Sequence, residues 1–287
     1  MRDFVSDHRW LSLNTATVRK QGDLAAIIDA CARHGIRAID PWREQVAAMG
    51  LDRAARAMRD AGLDLSGYCR GGLFASDVAR RGEVRDDNRR CIDEAKALGA
   101  PCIVLVAGGL PQYSRPGSAV SKDVAAARAQ VDEGIAEMLD YARQANMPLA
   151  IEPLHPAYAA DRACVNTTSQ ALDICDRLDP QRTGALGVAL DVYHIWWDPQ
   201  LMSQIDRAGK DRLLAFHVCD WLMPTRDILN DRGMMGDGVI DIKRLRAAVE
   251  AVGFAGYCEI EIFSNDWWAK PMDEVLRTCI ERHKTVV

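Results

Sequence analysis

Residues Gly187 to Pro199 read GVALDVYHIWWDP. The stretch opens as an apolar run and closes on an acid, an imidazole, two indoles and a second acid. The apolar half has the length and composition of a buried strand. Its polar end has two readings. One is an aromatic surface turn. The other is the mouth of a site, in which the strand holds its last side chains in fixed positions.

Working outward, the same grammar recurs. Upstream, a helical pattern near Thr168 to Arg177 leads into this strand, read as Ala185 to Asp191. Before it come a helix from about Lys122 to Ala145 and the strand PLAIEPLHP, Pro148 to Pro156. Earlier strands are expected at Trp10 to Ala16, Arg37 to Pro41, Leu63 to Tyr68 and Cys102 to Gly109. Downstream, RLLAFHVCDW (Arg212 to Trp221) and YCEIEIF (Tyr257 to Phe263) complete eight strands, with helices between them. Eight strand–helix units in 287 residues predict an α/β fold, a closed (β/α)8 TIM barrel forming a single domain over residues 1–287. A doubly wound sheet is disfavoured, because no GxGxxG follows the first strand and no GxxxxGK[ST] occurs. Ser114 to Ser121 and Pro224 to Val239 read as loops on the strand-exit side.

The net charge of -5 and dispersed basic residues argue against a nucleic-acid or anionic-membrane partner. No apolar run reaches the length of a membrane span, and MRDFVSDHRW lacks a secretory hydrophobic segment. Nine cysteines without a CxxC pair point away from a disulfide framework or a thiolate zinc site. The expected compartment is the cytoplasm.

Polar groups gather at the strand ends. Glu152 is followed by His155, Asp191 by His194, and His217 by Asp220, each three residues on. Glu259 and Glu261 alternate with apolar residues and so share one face of their strand. One such group is ordinarily a rim residue or a packed, hydrogen-bonded core histidine. Four consecutive strands ending this way at one barrel mouth favour chemistry, since inward charges need a partner or a cation. Two glutamates, an aspartate and a histidine would make a hard, oxygen-rich site for manganese, magnesium or cobalt. A hydroxyketone could bind there while the ion lowers the energy of an enediolate and carboxylates move a proton.

The segments IEPLHP, ALDVYH, AFHVCDW, MMGDGVID and GYCEIEIF occur in this order, four at predicted strands and MMGDGVID at the end of the long loop. With them the chain resembles the xylose-isomerase-like TIM-barrel superfamily of sugar isomerases, epimerases and related lyases. That resemblance implies Glu152, Asp191, His217 and Glu261 as ligands of one divalent ion, manganese first. It also implies Glu152 and Glu261 as the acid–base pair on opposite faces of the substrate. His194 matches the histidine of the family's DxxH segment and is expected to bind a sugar hydroxyl or oxyanion. His155, Glu259 and Arg226 are further substrate-binding candidates, with Arg232 beside Arg226 in the long loop. Trp197 is the candidate indole for an apolar sugar face. The cysteines, Cys219 included, are expected to be small core residues.

The expected activity is isomerisation or epimerisation of a small sugar or keto-sugar. Alternatives are a metal-dependent dehydratase or lyase acting on a keto-sugar or inosose, and a non-catalytic carbohydrate-binding barrel. No phosphate cradle is visible in the sequence, which favours an unphosphorylated sugar. The loop tryptophans suit a homodimer.

Overall fold

The computed structural model describes residues 2–287. Its strands are β1 (Leu11–Asn14), β2 (Ala38–Asp40), β3 (Asp64–Leu65), β4 (Cys69–Gly72), β5 (Ile103–Val106) and β6 (Leu149–Glu152). They continue as β7 (Leu186–Asp191), β8 (Leu213–Val218), β9 (Asp220–Trp221), β10 (Arg232–Gly233) and β11 (Cys258–Ile260). Nine of these form one sheet in the order β3-β2-β1-β11-β8-β7-β6-β5-β4. The neighbours in this sheet pair in parallel. β9 and β10 form a separate antiparallel pair.

Helices separate most of the strands and start where polar caps precede apolar-periodic sequence. Asp123 caps Val124–Ala145 by accepting from the Ala126 N–H, and Thr167 caps Thr168–Leu178 through the Gln170 N–H. Their apolar faces pack onto strands β5 to β7, in which every residue is buried. That double-sided burial explains why these strands read as unbroken apolar runs. All nine cysteines are buried thiols. Among the described residues, no helix is long and apolar enough to cross a membrane.

The sheet is TIM-barrel-like, yet the expected closed (β/α)8 ladder needs correction. The predicted third strand, Leu63 to Tyr68, shrinks to β3, which pairs with β2, and the stretch just beyond it, read as flexible, forms β4 and pairs with β5, leaving an open half-barrel of nine strands. The local cause lies between Ser66 and Cys69. Ser66 N–H still donates to the Ile39 carbonyl, and the Tyr68 carbonyl accepts from Val104. The Cys69 N–H is instead taken by the Asp40 carboxylate at 2.9 Å, so a side chain stands where a ladder carbonyl would be. A single bridge, Trp42 to Cys69, crosses the seam.

Register then does the positioning. Asp191 on β7 lies beside His217 on β8, and Glu259 on β11 lies on the other side of the same histidine. Glu152 ends β6, and Glu261 follows β11 with its N–H on the Val218 carbonyl.

Candidate metal centre

Glu152, Asp191, His217 and Glu261 each present a ligand atom, and these atoms all lie within 4.8 Å of one another. All four residues are buried. His217 Nδ1 stands 3.4 Å from Glu152 Oε1 and 3.7 Å from Glu261 Oε2. Glu152 Oε1 and His217 Nδ1 are buried without a hydrogen-bond partner. Unpaired buried polar atoms are costly. Three carboxylates and one imidazole converging on a point match the donor set of a divalent cation. The residues fit such an ion.

Local sequence aims these groups. Asp191 caps the short helix Val192–Ile195, its Oδ1 accepting from the Tyr193 N–H at 2.9 Å. Its Oδ2 is thereby turned towards the centre. His217 is held from behind by Glu259, whose Oε1 lies 3.5 Å from Nε2. Glu259 itself accepts from Asn14 Nδ2 at 2.8 Å and Ser66 Oγ at 2.7 Å. A carboxylate behind a ligating imidazole orients the ring and selects its tautomer. Asp40 completes this lower layer with Glu259 and His217. Burial, reinforced by the Glu259 charge, pushes its carboxyl well above the usual range.

Arg232 occupies the heart of the site. Its Nη1 donates to Asp191 Oδ2 at 2.8 Å, to Glu261 Oε2 at 3.1 Å and to the Glu261 carbonyl at 3.0 Å. Its Nη2 lies 3.1 Å from His194 Nε2. The guanidinium packs over Tyr193 and Phe263, 4.6 and 5.1 Å from their ring centres. Burial by itself would raise the Glu261 carboxyl, but Arg232 and His217 outweigh it and hold it down at about 2. Glu152 is pushed the other way, to about 7, by burial and the Glu261 charge against the pull of His217. Burial lowers His194 to about 3 and keeps it neutral. Because Arg232 can only donate, the neutral His194 accepts at Nε2 and carries its proton on Nδ1, which has no partner.

The remaining candidates separate. His194 lines the cavity above the four-residue cluster. His155 does not: its Nδ1 accepts from the Ala157 N–H, and its ring stacks on Trp221 at 4.8 Å. Trp197 is also outside, donating from Nε1 to the His194 carbonyl at 2.8 Å and so bracing that turn. Glu259 lies beneath His217, behind the four-residue cluster, and is not among the residues lining the cavity. Arg226 is 59% exposed and is tied to Asp231 and Asp266. The loop arginine that reaches the site is Arg232, placed by its antiparallel pairing with Trp221. The clue in sequence is its setting. Arg232 is followed by the apolar Met234 and Met235, whereas Arg226 is flanked by Thr225 and Asp227. The cavity also has walls of Trp42, Tyr158 and Phe263, which follow the ends of β2, β6 and β11 and which reasoning confined to acids and imidazoles passed over.

The chain matches the family described as Xylose isomerase-like TIM barrel over residues 28–282. It is similar to the inosose isomerase of Bacillus licheniformis, at 23% identity over 96% of this chain and 97% of that protein. The crystal structure of protein SMc04130 from Sinorhizobium meliloti 1021 superposes with a TM-score of 0.91 at 58% identity, covering 96% of this chain and 98% of that one. The crystal structure of IOLI protein with a binding zinc atom is similar in fold, with a TM-score of 0.77 at 20% identity and 95% of each chain covered.

Proposed function

The chain belongs to the xylose isomerase-like TIM-barrel family, and from that premise we propose that it is a divalent-metal-dependent isomerase or epimerase of a small keto-sugar or cyclic polyol ketone. The observation that carries this reading is the buried convergence of Glu152, Asp191, His217 and Glu261, with unpartnered atoms on Glu152 and His217. The similarity to proteins named inosose isomerase supports the substrate class. Manganese is the first ion to test, with magnesium and cobalt as alternatives. When bound, the ion supplies positive charge that stabilises negative charge developing on the ketone and neighbouring hydroxyl oxygens.

The chain's own groups do the rest. Glu152, buried at the floor with Oε1 free of a hydrogen-bond partner, is placed for transfer of the proton on the carbon next to the ketone. Glu261, kept ionised by Arg232, is the second carboxylate of the pair. Epimerisation needs Glu261 ionised to take the proton from one face and Glu152 protonated to return one to the same carbon from the other face; return of the abstracted proton at the neighbouring carbon gives isomerisation. The Nδ1–H of neutral His194 is free to donate to a substrate oxygen. Trp42 and Phe263 offer apolar surface to the C–H face of a ring.

The test couples metal content to proton exchange. Protein purified without chelators should retain on the order of one divalent ion per chain, lost in His217→Ala. The metal-loaded protein should exchange the α-proton of keto-sugars or inososes with solvent deuterium. Glu152→Gln should cut that exchange by about 10²- to 10⁴-fold while the circular dichroism spectrum is retained. Full exchange by Glu152→Gln removes its role, and failure to take up any divalent ion removes the whole reading.

A further inference from the structure

We propose that the natural substrate carries an anionic group, a carboxylate or a phosphate, at the end remote from the reacting carbons, and that Arg70 and Arg162 hold it at the neck of the site. This assignment rests on the keto-sugar reading of the floor and adds a charge to the far end of that substrate.

Two cavities meet at this face of the sheet. The inner one has Glu152, His194, Glu261 and Arg232 among its walls. The outer one is a wider groove that opens beside Tyr113 and Ile228. Five residues line both, and so form the passage between them: Arg70, Val106, Tyr158, Arg162 and Leu229. That collar contains two cations and no acid. A molecule seated with its ketone at the floor presents its other end to these five side chains.

The two guanidinium groups differ from other arginines nearby in being unspent. Arg43 is bonded to Asp87 and Glu94, Arg115 to Asp87, and Arg232 to Asp191 and Glu261. Arg162 has no carboxylate within 4.0 Å and makes no side-chain hydrogen bond among the described residues; it packs over the Tyr158 ring at 5.7 Å. Arg70 packs over Trp42 at 5.7 Å, has a buried Nε without a partner, and meets only Glu44, at 3.6 Å. An aromatic platform steadies a guanidinium plane without using its N–H donors. Two such forks offer the paired, charge-assisted hydrogen bonds that carboxylate and phosphate oxygens accept. The acids of the region lie further out. Asp161 and Asp227 line the groove but not the inner cavity. Asp227 is also turned to its own loop, accepting from the Leu229 and Asn230 N–H groups. The positive charge of this face is thus concentrated at the neck, where an anion meets two guanidinium groups and no carboxylate of the collar.

The test uses three probes that share a ketose end: D-fructose, D-fructuronate and D-fructose 6-phosphate. Binding to the manganese-loaded full chain is read by calorimetry, and α-proton exchange is followed in deuterium oxide on the same samples. The wild type should bind at least one charged ketose about tenfold or more tightly than D-fructose. The better of the two identifies carboxylate or phosphate as the source. Arg162→Gln and Arg70→Gln should each reduce the ratio of charged to neutral affinity by about tenfold. Arg162 is exposed, so loss of folding does not confound its variant, and thermal melting controls for Arg70. Equal affinity for the three probes, no binding of the charged pair, or an unchanged ratio in both variants overturns the proposal. Exchange of D-fructose alongside such equality leaves the isomerase reading intact, whereas arginine-dependent anion binding without exchange of any probe sinks that reading and keeps the neck.

Discussion

Replacing Arg232 by glutamine would test whether a guanidinium and a divalent ion share the same carboxylates. In the absence of metal, Arg232 is the cation facing Asp191 Oδ2 at 2.8 Å and Glu261 Oε2 at 3.1 Å, and all three groups are buried. Removing one partner from a buried ion pair leaves an uncompensated charge and costs about 3–5 kcal/mol. With manganese bound, the ion itself compensates both carboxylates. The remaining loss is then the packing and cation–π contact with Tyr193 and Phe263, about 1–2 kcal/mol. The variant should therefore gain about 2–3 kcal/mol more from metal than the wild type does, equivalent to about 30- to 150-fold tighter apparent metal binding. Urea unfolding of both proteins, in chelator and in excess manganese, measures the four stabilities. Direct titration with manganese checks the affinity. Equal destabilisation with and without metal, or weaker metal binding by Arg232→Gln, would refute the assignment of Asp191 and Glu261 as ligands.

Two further predictions concern groups away from the cavity wall. Glu259→Gln removes the carboxylate behind His217 Nε2 and should weaken manganese affinity by about 10- to 100-fold, read by competition with a chelating dye; unchanged affinity would show that the imidazole is oriented by other groups. His283 is buried against Phe4, with ring centres 5.1 Å apart, and both its nitrogens lack partners. Burial lowers it from 6.5 to about 3, so its neutral form contributes stability above pH 6.5 that is lost as pH falls from there towards 3, at about 1.4 kcal/mol per pH unit. His283→Phe should flatten the fall in stability between about pH 6 and 4 relative to the wild type; parallel curves for the two proteins would contradict it.

The legible part of the site was its strand-end part. Glu152 and Asp191 close buried runs, and the alternation Glu259-Ile260-Glu261 puts both glutamates on one face. In the folded chain both point inwards but at different heights: Glu261 in the four-residue cluster, Glu259 beneath His217 with Asp40. Alternation cannot rank the two, because it specifies a face and not a depth. The long loop was harder. Arg226 and Arg232 are six residues apart in one loop, yet one is clamped outside by Asp231 and Asp266 and the other packs against Phe263. Their separation follows from β9 and β10 pairing, which fixes Arg232 opposite Trp221. His155 and Trp197 show a different relation between sequence and site. Both are close in sequence to site residues, and both are spent on each other, on Trp221 and on the His194 turn.

From the sequence alone came the eight-unit α/β rhythm, the acids and imidazoles at strand ends, and the hard donor set they imply. Those features are properties of neighbours along the chain: side-chain period, cap chemistry and apolar run length act over a few residues and need no partner element. Tertiary structure decided the rest. It started a separate strand, β4, where Asp40 takes the Cys69 N–H, brought Arg232 between Asp191 and Glu261, and gathered Arg70 and Arg162 at one neck from segments 92 residues apart in number. Each of these is a distance between elements, set by how the sheet curls and how loops pack over it, and no local periodicity encodes such a distance.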